Sequence, residues 1–220
     1  MSTHITILPK RNTYASVYAL TCLLGLGWCQ QGATAQPQAI DLAAPQIVRT
    51  SCYMCHSTQG NTPDLAFIPR LAAQNQNYME SALKAFRDGS RGDPPAMIYM
   101  WPIAQGLTDA QIQQAVTWFA SQPAPVPFSP GSSASQGRDI FTQGVPSADI
   151  PACASCHGAK AEGAGIFPRL AGQNVQYLIA QMRYFRSGVR NDNGAAMMKP
   201  IVLHMTDSQM SDVAEYLSSL

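Results

Sequence analysis

The sequence predicts an all-α fold of two tandem domains joined by a proline-rich linker. Three observations carry that reading. A Cys-x-x-Cys-His pentad occurs twice, as Cys52-Tyr53-Met54-Cys55-His56 and Cys153-Ala154-Ser155-Cys156-His157, 101 positions apart. The residues after each pentad recur in register, as expected of a duplicated unit. Apolar residues in both copies fall at helical spacing, and strand signals are absent.

The first 35 residues read as an export signal. Lys10 and Arg11 form a short positive region, Tyr14 to Trp28 is mostly apolar, and Ala33-Thr34-Ala35 offers a small-x-small cleavage site before Gln36. The apolar run is short and interrupted for a membrane span. A lipid-attached reading would use Cys29, and the bulky Trp28 before it argues against that. Cleavage removes Cys22 and Cys29, so every remaining cysteine belongs to a pentad. A length of about 185 residues then suits two small domains. We place them at residues 36–121 and 135–220, with a linker over 122–134.

The N-terminal unit contains the first pentad, then Ile68-Pro69-Arg70-Leu71-Ala72-Ala73-Gln74-Asn75. Tyr78, Met79, Leu83 and Phe86 mark a helix. Thr108, three before Gln111, predicts a capping box that opens another helix through Ile112, Val116 and Phe119. A shorter helix is expected before each pentad. The linker, from Gln122 to Ser133, has prolines at 123, 125, 127 and 130, which block helix and favour an extended strap.

The C-terminal unit repeats these signals. Phe167-Pro168-Arg169-Leu170-Ala171-Gly172-Gln173-Asn174 matches the first segment at an offset of 99, and Tyr177, Phe185, Arg186, Gly188 and Arg190 match Tyr78, Phe86, Arg87, Gly89 and Arg91. Met198-Lys199-Pro200-Ile201 matches Met100-Trp101-Pro102-Ile103, and Thr206 with Gln209 repeats the capping box. Each unit is small for its own core, and a buried haem would supply the missing apolar contact.

The pentads point to covalent haem. Two thiols separated by two residues can each form a thioether to a haem vinyl group, and the following histidine lies under the iron. Structural zinc sites also use Cys-x-x-Cys pairs, but their halves usually lie closer together, and here each half would lack its other ligands. A thioredoxin-like pair would need a strand-then-helix setting that this sequence does not show. Cys52, Cys55, Cys153 and Cys156 are therefore the attachment residues, with His56 and His157 as axial ligands. The remaining histidine of the exported chain is His204, which rules out two histidines at both irons. Met100 and Met198 are the sixth-ligand candidates because they hold matching positions, two before a proline and eight before the capping threonine. Met97 and Met197 are nearby competitors that do not superpose under that offset. Methionine ligation raises the reduction potential relative to histidine.

Loss of Lys10 and Arg11 leaves 12 Lys and Arg against 13 Asp and Glu. Such a chain has no basic stripe for nucleic acid and no lysine ring for an acidic partner.

The pentads, the Pro-Arg-Leu-Ala-x-Gln segments and the late methionines resemble the cytochrome c4 family, most like members from acidophilic iron- and sulfur-oxidising bacteria. The resemblance covers essentially all of the exported chain. It implies two class I cytochrome c domains with two covalently bound haem c, related by an approximate two-fold axis. It implies a periplasmic electron shuttle, peripheral to membrane complexes and expected as a monomer. Single electrons would pass from a cupredoxin, a cytochrome or a quinol-oxidising complex towards a terminal oxidase. It implies that Pro69 and Pro168 offer carbonyls to the proximal histidines, and that Arg70 and Arg169 meet a haem propionate or the domain interface. Ser57 departs from the glycine usual after the pentad, which puts the local loop in question. Two rival readings stay open: a di-haem enzyme of peroxidase or thiosulfate dehydrogenase type, and a bound electron-transfer subunit.

Overall fold

The computed structural model describes residues 39–62 and 65–220. The predicted export signal and its two cysteines lie outside the described residues. No described helix is long and apolar enough to cross a membrane.

Helices dominate, and the ordered pairs of extended backbone among the described residues are two isolated bridges, Val145 with Ile150 and Ala164 with Phe167. In the first copy a π-helical segment, Val48–Cys52, runs directly into α1 (Tyr53–His56), and the pentad spans the junction of the two. There follow α2 (Gln76–Arg87), a second π-helical segment (Ala96–Met100) continuous with α3 (Trp101–Ala104), and α4 (Asp109–Ser121). The second copy comprises α5 (Ala134–Gln143), α6 (Ala154–His157), α7 (Val175–Ser187), α8 (Ala195–Val202) and α9 (Asp207–Ser218). The helix expected before each pentad is thus realised in two ways. It is continuous with the first pentad, whereas α5 is separated from the second by a 3-10 turn, Pro146–Ala148.

Both capping boxes form, with Thr108 accepting from the Gln111 amide and Thr206 from the Gln209 amide. The helices they open carry the buried apolar faces. Ile112, Val116 and Phe119 of α4 pack with Ile47, Val48 and Met79. Met210, Val213 and Leu217 of α9 pack with Phe141 of α5 and Leu178 and Phe185 of α7. One ion pair recurs at each helix start: Arg87 to Asp109 at 2.7 Å, and Arg186 to Asp207 at 2.6 Å. A carboxylate in the first turn also suits the helix dipole.

Four pairs of left-handed backbone positions are equivalent between the copies, with glycine at only one member of three of them. Ser57 (φ 55°, ψ 170°) matches Gly158 (φ 84°, ψ 154°) at the end of the pentad helix. Gly60 (φ 71°) matches Ala161 (φ 53°), and Ala73 (φ 54°) matches Gly172 (φ 71°). Position 60 and position 161 do the same work, since each carbonyl accepts two successive amides: Leu71 and Ala72 at Gly60, Leu170 and Ala171 at Ala161. The departure at Ser57 therefore preserves the kink at the cost of a strained backbone.

The two copies meet through reciprocal hydrogen bonds. Gln173 accepts from the Arg70 amide at 2.8 Å and donates to the Arg70 carbonyl at 3.0 Å. Gln74 accepts from the Arg169 amide at 2.7 Å and donates to the Arg169 carbonyl at 2.9 Å. Each glutamine satisfies both backbone groups of one residue in the other copy. The pairing has the form of a two-fold contact between units of one chain. The linker lies along this join. Its Phe128 amide donates to the Ser218 carbonyl, and its Val126 carbonyl accepts from the Arg70 guanidinium.

Two outcomes are expected from this geometry. Ser57→Gly relieves a backbone conformation open chiefly to glycine and should raise stability by about 1 kcal/mol, read as a higher denaturant midpoint in the haem-loaded protein. Gln173→Ala strands two buried backbone groups and Gln74→Ala two part-buried ones, and each should cost about 1–3 kcal/mol, with Gln173→Ala the larger, seen as a lower unfolding temperature.

Candidate haem-binding site

All twelve residues singled out in the sequence line one continuous cavity of about 640 Å³: Cys52, Cys55, His56, Pro69, Arg70 and Met100 from the first copy, and Cys153, Cys156, His157, Pro168, Arg169 and Met198 from the second. Helices α1 and α6 each span one turn, so both cysteines and the histidine of a pentad lie close together on the cavity wall.

Both histidines are buried, with 6% exposure each. The His56 Nδ1 lies 3.0 Å from the Pro69 carbonyl oxygen, and the His157 Nδ1 lies 3.1 Å from that of Pro168. A carbonyl can only accept, so Nδ1 carries the proton in each ring and Nε2 keeps its lone pair for a metal. Burial reinforces this state. It lowers the His56 pKa to about 4, against a smaller upward pull from the Pro69 hydrogen bond, and it lowers that of His157 for the same reason.

None of the four pentad cysteines is paired in a disulfide, so all four sulfurs are left for attachment. Before attachment, burial pushes the Cys52 and Cys153 thiols up to about 11 each. The Cys52 thiol points to the Ile47 carbonyl at 3.6 Å. Cys55 and Cys156 are exposed.

Leu71, Leu83, Phe86, Val116 and Phe119 line the first side of the cavity, and Leu170, Leu178, Phe185, Val213 and Leu217 the second. An apolar hollow flanked by two thiols and a neutral imidazole fits haem c on each side: the apolar lining would bury it, the thiols would attach it and the histidine Nε2 would be left to hold its iron.

The methionines separate by position. Met100 and Met198 line the cavity, as does Met197, whereas Met97 is 40% exposed and does not. Met197 is 41% exposed and matches Tyr99 of the first copy. His204 lies on the surface, next to the turn that precedes α9.

The two arginines after the prolines differ. Arg70 is buried, donates through Nη1 to Val126 and Gly172 carbonyls, and stacks on Phe128 at 3.9 Å. Arg169 is half-buried with Glu162 as its nearby carboxylate. Among the described residues, the buried Nε of each lacks a partner. Arg70 is thus tied to the interface and the linker, and both retain a donor for a further acceptor.

Sequence reasoning assigned no role to Arg91, Arg190, Asp93, Asp192 or Gln181, which form a buried polar group on the cavity wall between the copies. Their only signal was recurrence: Arg91 and Asp93 reappear 99 positions on as Arg190 and Asp192, whereas Gln181 does not recur.

The cytochrome c family model matches residues 43–123 and again residues 134–220. Cytochrome c-552 of Acidithiobacillus ferridurans is 44% identical over 190 residues, covering 86% of this chain and 81% of that protein. The thiosulfate dehydrogenase electron acceptor of Thiomonas intermedia is 32% identical, covering 92% of this chain and 90% of its own length. Among solved structures, the cytochrome c4 of Acidithiobacillus ferrooxidans is 44% identical, with a TM-score of 0.73 over 77% of this chain and 98% of that one. With two pentads and two matched domains, the chain belongs to the cytochrome c family as a tandem member of the cytochrome c4 type, and it carries two covalently bound haem c.

Proposed function

We propose that the protein is a periplasmic carrier of single electrons rather than an enzyme. It would take electrons from a reduced cupredoxin, cytochrome or quinol-oxidising complex and pass them towards a terminal oxidase. The observation that carries this reading is the equivalent placement of Met100 and Met198 on the wall of the cavity that holds His56 and His157. A methionine and a histidine at each iron leave no open coordination position, which is what a carrier needs and an enzyme of this kind lacks.

Bound haem supplies the one-electron chemistry; the chain controls its surroundings. His56 and His157 are oriented by the Pro69 and Pro168 carbonyls, and that hydrogen bond increases the donor strength of Nε2. The apolar walls exclude water, so little solvent must reorganise when the charge on iron changes. The unpartnered Nε groups of Arg70 and Arg169 are the donors we assign to propionate oxygens.

The low charge of the exported chain favours polar or apolar docking over long-range steering of partners. A second reading is the electron-accepting subunit of a larger dehydrogenase, favoured by the 32% identity to the Thiomonas intermedia electron acceptor. Salt washing of membranes separates the two, because a free shuttle is released and a bound subunit stays with a large partner.

The carrier reading is checked by an anaerobic redox titration that follows the far-red methionine-to-ferric-iron band. Two haems per chain, both with that band and both inert to cyanide and peroxide on mixing, are expected. In Met198→Ala one haem should lose its band and turn high-spin while the other is unchanged. Rapid ligand binding by one haem of the unmutated protein would make the site an open iron and the protein an enzyme.

A further inference from the structure

The seam between the haem crevices is nearly symmetric, and at its centre one side chain breaks the symmetry. Arg91 and Arg190 are 3% and 4% exposed, and each stays with an aspartate of its own copy. Arg91 Nε donates to Asp93 at 2.7 Å, and Arg190 reaches Asp192 through Nη2 at 3.1 Å and Nε at 3.3 Å. Each guanidinium also lies over a phenylalanine of its own copy, Phe86 at 4.6 Å and Phe185 at 4.2 Å. Each then crosses the seam to a half-buried tyrosine: Arg190 to Tyr78 at 3.4 Å, and Arg91 to Tyr177.

Gln181 breaks the pattern. It sits one turn after Tyr177 on α7, so both side chains share a helix face. Its Oε1 accepts from Arg91 Nη2 at 2.7 Å and from Arg190 Nη1 at 2.6 Å. One carbonyl oxygen has two lone pairs, and both are used on like charges from opposite copies. The equivalent residue on α2 is Ala82, whose methyl group can accept nothing. Arg91, Arg190, Tyr78, Tyr177 and Gln181 all line the cavity shared by the two crevices.

We propose that Gln181 is a positioning residue that makes the two haem sites unequal, by holding one guanidinium from each copy on a single acceptor between them. This rests on the two-haem carrier reading. A positive charge beside a haem favours the ferrous form, so the placement of these guanidiniums tunes both potentials. Their anchoring is uneven. Without Gln181, Arg190 keeps two nitrogens on Asp192 through three hydrogen bonds and one on Tyr78, whereas Arg91 keeps a single nitrogen on Asp93 besides Tyr177. Arg91 is the looser of the two, and it belongs to the N-terminal copy.

The test is a redox titration of haem-loaded Gln181→Ala and Gln181→Glu, with each haem followed by its own electron paramagnetic resonance signal. In Gln181→Ala the midpoint potential of the N-terminal haem should shift more than that of the C-terminal haem. In Gln181→Glu the carboxylate keeps both hydrogen bonds and adds negative charge between the crevices, so both potentials should fall together. Unmoved potentials in a Gln181→Ala protein that retains two haems and both methionine bands would overturn the proposal alone. So would a fall confined to one haem in Gln181→Glu. An unmutated protein lacking one methionine band would overturn the proposal and the carrier reading together.

Discussion

The structure depends on an apolar hollow that the polypeptide does not fill itself. In each copy the long helices present leucine, valine and phenylalanine to a shared space, and the pentad closes one side of it. A unit of about 85 residues buries too little surface to be comfortably stable alone. The haem completes the core, and its thioethers tie that core to the chain. The same hollow dictates the state of the histidines. An imidazole removed from water stays neutral, and a carbonyl at 3.0 or 3.1 Å selects the Nδ1–H tautomer. Burial and one backbone acceptor thus prepare Nε2 for iron before any metal chemistry begins.

Duplication explains how two such hollows come to adjoin. A segment that ends one copy's haem-binding loop, Arg70 to Asn75, meets its own duplicate, Arg169 to Asn174. Because the segments are alike, any bond from Gln74 to Arg169 has a counterpart from Gln173 to Arg70. A self-complementary patch of this kind needs the copies only to face each other, and the extended linker keeps them at a high effective concentration. The Asn174 amide adds bonds to the Leu65 and Ile68 carbonyls, while Asn75 reaches the Phe167 carbonyl. Polar groups that would be costly to bury in either copy alone are satisfied by the other.

Much of this was legible from residue spacing. The pentads marked the cofactor, the Thr-x-x-Gln boxes marked the starts of α4 and α9, and the spacing of Tyr78, Leu83 and Phe86 marked α2. Those signals are local, since each depends on neighbours a few residues away. Two features resisted for physical reasons. The left-handed kinks at Ala73 and Ala161 carry no glycine, so residue type conceals a conformation that tertiary hydrogen bonds impose. The Arg91 and Arg190 group depends on partners from the opposite copy, and no spacing within one copy reveals which side chain an arginine will meet. The recurrence of both arginines and both aspartates was visible, yet their burial was not, since charged residues are usually exposed.

Symmetry also sets what the molecule can do with two haems. A strictly repeated seam would place equal charges beside equal cofactors, leaving little to distinguish the first electron from the second. Departures from the repeat are therefore where direction can arise, and they are few. The linker covers Arg70 through Val126 and Phe128, whereas Arg169 has no such cover. Gln181 has an alanine, Ala82, at the equivalent position of the other copy, and it engages guanidiniums from both copies. Both departures act on arginines, the residues whose charge persists at every pH the protein meets. A di-haem cytochrome that arose by copying one domain can become directional by altering the surroundings of the repeated charges, with the ligands of both irons left alone.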